Sequence, residues 1–261
     1  MTTIRSFGAP PPVDREISAG EARWRVPEET PVAFIYNGRN YAVMLATPAD
    51  LGDFAIGFSL TERIAASADE IEAVDVHCSE QGVDLRLTMA APAIERLDLR
   101  QGRRNLVGRA GCGVCGVENA EIFFEELPKV PGGALRLPGD ALRRAVRTLA
   151  DHQPMNARTR TVHAAAFASL SGDITLARED VGRHNALDKL IGARLRQGAA
   201  MDEGFVVMSS RCSYEIVEKA ARAGVRAVLS LSAPTAFAIR KAAEADIALY
   251  ALAGEDVAAI S

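Results

Sequence analysis

The chain has little of what would place it in several large protein classes. Its 261 residues include only four cysteines and one tryptophan, and aromatics make up 5%. Four cysteines are too few to staple a chain of this length as a disulfide-built secreted protein. No run of about 18 apolar residues occurs, which argues against a transmembrane helix. Residues 1–12 lack the apolar core of a secretory signal, so the cytoplasm is the expected compartment. Nor is there a basic excess: 30 Lys and Arg face 34 Asp and Glu, a net charge of −4. A general nucleic-acid binder carries a basic stripe, so neither nucleic acid nor membrane is expected as a partner.

What is present is a globular composition, 48% hydrophobic and 25% charged. That suits one large domain or two modest ones. Residues 1–20 read as a flexible tail. Two apolar runs, 31–36 and 41–45, flank Asn37-Gly38 and predict a hairpin. Thr47 and Pro48 look like the cap and first residue of a helix. Strands are expected over 71–78 and 83–89, completing a small α+β domain over 21–100. Beyond residue 101 the predicted types alternate. Strands at 162–168 and 174–178 precede a helix over 183–197. Strands at 205–208, 227–231 and 247–251 then alternate with helices over 214–223 and 233–244. This is an α/β pattern with partly parallel strands, expected over 101–261.

The chemistry concentrates in Gly111-Cys112-Gly113-Val114-Cys115-Gly116. Glycine on nearly every side makes this a loop rather than a helix or strand. In a reducing compartment a C-x-x-C pair is redox-active, metal-binding or nucleophilic. A structural zinc needs four ligands, and Cys78 and Cys212 have no partner at ligand spacing. A thioredoxin-like pair usually opens a helix after a strand, which the flanking glycines do not suggest. A persulfide carrier needs an accessible thiolate, which Arg103, Arg104 and Arg109 would favour.

A second cluster, Asp180-Val181-Gly182-Arg183-His184-Asn185, joins a strand to a helix. A helix start offers free N–H groups, and Arg183 and His184 add donors, so a phosphate suits it. Ser210 and Arg211 follow the next strand, and Ser232 and Thr235 the one after. Ligands of α/β sheets bind at the carboxyl ends of strands, so these clusters are expected to converge on one pocket.

Together, the Cys112–Cys115 loop, the block from Arg178 to Lys189, Ser210-Arg211-Cys212-Ser213-Tyr214-Glu215 and Ser232-Ala233-Pro234-Thr235 resemble the formate dehydrogenase accessory sulfurtransferase (FdhD) family. Val162 before His163, Arg63 after Glu62 and the lack of arginine over 250–255 depart from that family's pattern. The resemblance implies a cytidine-deaminase-like larger domain and a homodimer. It implies a sulfur carrier that accepts sulfur from a cysteine desulfurase on Cys112 and Cys115. The sulfur would pass to a molybdenum or tungsten bis-guanine-dinucleotide cofactor, bound as cargo, before insertion into formate dehydrogenase; a guanine nucleotide would mimic that cargo. His163, Asp180, Arg183, His184, Asn185, Ser210, Arg211, Ser232, Thr235 and Tyr250 would hold the cofactor, and the protein itself would keep no metal. A cofactor chaperone without sulfur chemistry is the alternative. Zinc deaminase chemistry is excluded, because His163-Ala164-Ala165 lacks the required glutamate.

Overall fold

A computed structural model describes residues 2–101 and 125–260. It is a mixed α/β protein built on two sheets. The first has five strands in the order β1-β6-β7-β4-β5. These are β1 (Thr3–Phe7), β4 (Thr30–Tyr36), β5 (Arg39–Ala46), β6 (Ile71–Ser79) and β7 (Gly82–Met89). The predicted hairpin is β4–β5. Asn37 and Gly38 both have positive φ, as a tight two-residue turn requires. β2 (Asp14–Ala19) and β3 (Ala22–Pro27) form a separate hairpin.

The segment expected as a loose tail therefore contains two strands. Its composition is that of a tail, but β1 pairs in parallel with β6, some seventy residues away, and Arg5 bonds Asp75 at 2.6 Å. A partner that distant leaves no local pattern.

The second sheet has six strands, β13-β12-β11-β10-β8-β9. They are β8 (His163–Ser169), β9 (Ile174–Asp180), β10 (Gly204–Arg211), β11 (Ala227–Ser232), β12 (Ala248–Ala253) and β13 (Asp256–Ile260). β10, β11 and β12 run parallel. One face packs on α5 (Arg183–Arg196), α6 (Tyr214–Arg222) and α7 (Ala236–Glu244) through Leu187, Leu190, Val217 and Ala238. The other packs on α3 (Gly139–Thr148) through Leu142 and Ala145. The small helices α2 (Ala91–Gln101) and α4 (Pro154–Thr159), and the edge strand β13, were not foreseen.

Helix α1 (Leu51–Thr61) belongs to the first sheet and packs along α5 of the second. Thr47 does not cap it. Asp50 stands at the cap in the left-handed region, and Thr47 is fully buried, bonded to β9 and α5 instead. The crossing is backbone against backbone. A Cβ on Gly57 would lie 1.8 Å from the Asp188 carbonyl oxygen, and one on Gly192 would lie 1.9 Å from that of Asp53. Around this contact Asp53 bonds Arg178 and Arg196, and Lys219 bonds Asp188 and Thr61. Burial opposes the Lys219 ammonium, but the Asp188 and Glu62 carboxylates more than offset it and hold Lys219 above its usual value.

Candidate functional site

The site lies along the edge of the six-stranded sheet where β9, β10 and β11 end. The register sets its row: His163 pairs with Asp180, and Arg211 with Ser232. The Ala164 N–H donates to the Ser209 hydroxyl at 2.8 Å, stitching β8 to the end of β10. Each strand ending here is followed by a helix whose N-terminus points back to the same edge. Those helix starts are tied to one another. His184 meets Glu215 at 2.7 Å, joining α5 to α6. Tyr214 stacks on Phe237 with ring centroids 4.9 Å apart, joining α6 to α7. The Thr235 N–H donates to the Cys212 carbonyl at 3.0 Å.

The clusters expected to converge on one pocket share one edge of the sheet, and their side chains divide by role. Arg211, Ser232 and Thr235 are exposed, and His163 and Arg183 are half-buried. Arg183 Nε is buried and has no hydrogen-bond partner among the described residues; Ser213 Oγ, at the start of α6, is in the same state. These are donors that an anion would satisfy. The partial positive charge of three helix starts favours the same ligand.

Asp180 and Asn185 instead belong to the interior. Asp180 is fully buried. Its Oδ2 accepts from Lys189 Nζ at 2.6 Å and from the Thr47 N–H at 3.0 Å. Its Oδ1 accepts from the Gly182 N–H at 2.8 Å and from Asn185 Nδ2 at 2.9 Å. Four donors leave this carboxylate nothing to offer a ligand, so it shapes the turn before Arg183. Ser210 is buried, its hydroxyl donating to the Arg211 carbonyl. The Thr235 hydroxyl accepts from the Ala238 N–H and caps α7.

Tyr250 does not join the site. Its ring is buried on the α3 face of the sheet. Its hydroxyl accepts from the Leu137 N–H at 3.0 Å and donates to the Leu135 carbonyl at 3.2 Å, which fastens the 135–137 strap. In a strand, alternate residues take opposite faces, and a motif read by position alone does not say which. Cys112 and Cys115 lie outside the described residues. Among those described, no group of three His, Cys, Asp or Glu could hold a metal ion, and no helix is long and apolar enough to cross a membrane.

Burial lowers the His163 pKa from its usual 6.5, and the neighbouring Arg183 and His184 charges push the same way. His163 is therefore a neutral imidazole near pH 7, able to donate from one nitrogen and accept at the other. The consequence for stability has a definite sign. The unfolded chain takes up this proton near pH 6.5, and the folded chain only at lower pH. The contribution is thus intact above 6.5 and is lost as pH falls toward and through the folded value. Urea unfolding of wild type and His163→Gln, at about pH 7.5 and about pH 5, is expected to show the larger acid loss in wild type. Equal losses would contradict it.

Reasoning from sequence missed Thr47, Glu215 and Lys189 as parts of this assembly. Lys189 left one trace, a charged residue between apolar Leu187 and Leu190 on a helix with little room for a wet face.

The sequence matches the profile of the FdhD/NarQ family over residues 27–260. A protein from Xanthomonas euvesicatoria named Sulfur carrier protein FdhD is 47% identical over 228 residues, spanning 87% of this chain and 80% of the relative. One of the same name from Agrobacterium fabrum is 43% identical over 243 residues, spanning 93% of this chain and 89% of the relative. A crystal structure of a formate dehydrogenase accessory protein from Desulfotalea psychrophila superposes with a TM-score of 0.73 at 22% identity. It covers 95% of this chain and 96% of the other, so the fold is shared across nearly the whole length.

Proposed function

The chain belongs to the FdhD/NarQ family, and from that premise we propose that it is a sulfur carrier for the maturation of formate dehydrogenase, acting as a persulfide-relay sulfurtransferase. One observation carries the reading. The family match extends from 27 to 260, a range that includes the Cys112–Cys115 pair and all the helix starts at the sheet edge. Its partners are a cysteine desulfurase and formate dehydrogenase, and it works as a cytoplasmic homodimer. The larger sheet unit is deaminase-like in this reading, supported by a β8–β9 hairpin beside three parallel strands.

The Cys112 thiolate attacks the outer sulfur of the donor's persulfide. An S–S bond forms on Cys112, the donor's S–S bond breaks, and the donor leaves as a thiolate with no net oxidation. Cys115 then attacks the inner sulfur of the Cys112 persulfide and expels hydrosulfide toward the metal of the cargo. The Cys112–Cys115 disulfide that remains is reopened by a dithiol reductant. The cargo, a molybdenum or tungsten bis-guanine-dinucleotide cofactor, is the substrate. Its phosphates suit the starts of α5, α6 and α7, with Arg183 and Arg211 as cationic donors and His163 and Ser232 beside them.

Intact-mass spectrometry tests this after incubation with cysteine and a desulfurase. The expected result is a gain of one or more sulfur atoms, with GDP binding as the companion measurement. No sulfur gain overturns the relay. GDP binding without sulfur gain would mean a cofactor chaperone.

A further inference from the structure

Thr47 sits on the first sheet's side of the molecule, yet each of its polar groups serves the second. Its N–H donates to Asp180 Oδ2 at 3.0 Å, and its carbonyl accepts from Lys189 Nζ at 2.8 Å. Its hydroxyl accepts from the Val181 N–H at 3.2 Å. Two residues before it, the Leu45 carbonyl accepts from Asn185 Nδ2 at 2.9 Å. Thr47, Asp180 and Lys189 are all fully buried. The contacts fall on the turn that ends β9 and opens α5, immediately before Arg183, whose Nε has no partner among the described residues. Inside the turn Asp180 Oδ1 holds the Gly182 N–H and Asn185 Nδ2, but the Val181 N–H is held by Thr47. Gly182 occupies the N-cap and has no side chain with which to cap the helix.

We infer that Thr47 is a positioning residue for the anion site, its hydroxyl fixing the Val181–Gly182 turn so that the start of α5 and Arg183 face the ligand. What the site holds rests on the nucleotide reading above. Removing the hydroxyl while keeping the side-chain shape takes the acceptor from the Val181 N–H, a part-buried bond against the fully buried Thr47. A donor that loses its acceptor in such a place is costly enough to shift a local equilibrium about tenfold. The β11 and β12 strands, away from the turn, should not feel it.

The test uses the full chain as wild type, Thr47→Val, Thr47→Ala and Thr47→Ser. Amide hydrogen exchange and equilibrium binding of GDP are measured on each. In Thr47→Val the Val181 and Gly182 amides should exchange about tenfold faster, while β11 and β12 keep wild-type rates, and GDP should bind about tenfold more weakly. Thr47→Ser, which keeps the hydroxyl, should restore both to within about twofold. Unchanged exchange at Val181 and Gly182, or wild-type GDP affinity in Thr47→Val, overturns the inference. So does global unfolding of both the valine and alanine variants, which would assign Thr47 to stability alone. If wild type itself binds no GDP, the nucleotide reading falls, and exchange alone then decides whether Thr47 holds the turn.

Discussion

With Cys112 and Cys115 both replaced by alanine, the chain is expected to gain no sulfur from a desulfurase and cysteine. The structure sharpens this, because it removes Cys212 as a substitute. Sulfur uptake needs a thiolate. Cys212 lies at the end of β10, within the site, but it is 1% exposed, and burial pushes its thiol up to about 12. At neutral pH only about one part in 10⁵ of such a thiol is ionised. Burial also raises the half-buried Cys78 thiol, which lies on β6 of the other sheet. Cys212 therefore cannot stand in for the glycine-flanked pair at the site. Cys112→Ala alone should abolish loading. Cys115→Ala alone should still load but release sulfide slowly. A sulfur gain that survives in the double variant would sink the relay.

Gly192→Ala is expected to be among the most damaging methyl additions at the described glycines, comparable to Gly57→Ala across the same crossing. The new Cβ would stand 1.9 Å from the Asp53 carbonyl oxygen and 2.8 Å from the Gly57 nitrogen. Both obstacles are backbone of a buried helix, so neither can swing away. Relief requires α1 to move off α5, which would stretch the Asp53–Arg178 and Asp188–Lys219 contacts around the crossing. Overpacking of this kind costs about 3 kcal/mol. For a chain of this length that lowers Tm by roughly 6–12 °C. Gly139→Ala is the control. Its nearest obstacle is the flexible end of the Arg143 side chain at 3.2 Å, and alanine is the better helix former, so Tm should hold or rise slightly. Equal effects of the two substitutions in a thermal melt would show that crowding at the crossing is not what matters.

The order of elements was legible wherever the pattern is local. Asn37-Gly38 announced the β4–β5 hairpin because a two-residue turn needs positive φ at both positions. The alternation from β8 to β12 was readable from short apolar runs and their polar ends. What failed depended on distant partners. The strand at Thr3–Phe7 exists because β6 offers it an edge. Thr47 looked like a cap because its neighbours in sequence suit one, while its actual partners stand 133 and 142 residues away.

The site divides in the same way. Sequence alone determined that polar clusters follow successive strands, that a C-x-x-C pair stands among glycines, and that these motifs resemble one family. Strand ends and helix starts are set by neighbouring residues, and a motif is by definition local. Only the tertiary structure decided which members of those clusters face outward. Asp180 and Asn185 turn inward to the Lys189 and Thr47 network, Tyr250 points to the opposite face of its sheet, and Arg183 keeps a donor unspent among the described residues. The inward turn of Asp180 and Asn185 accompanies the packing of α1 on α5, an approach that two glycines 135 residues apart permit together and neither signals alone.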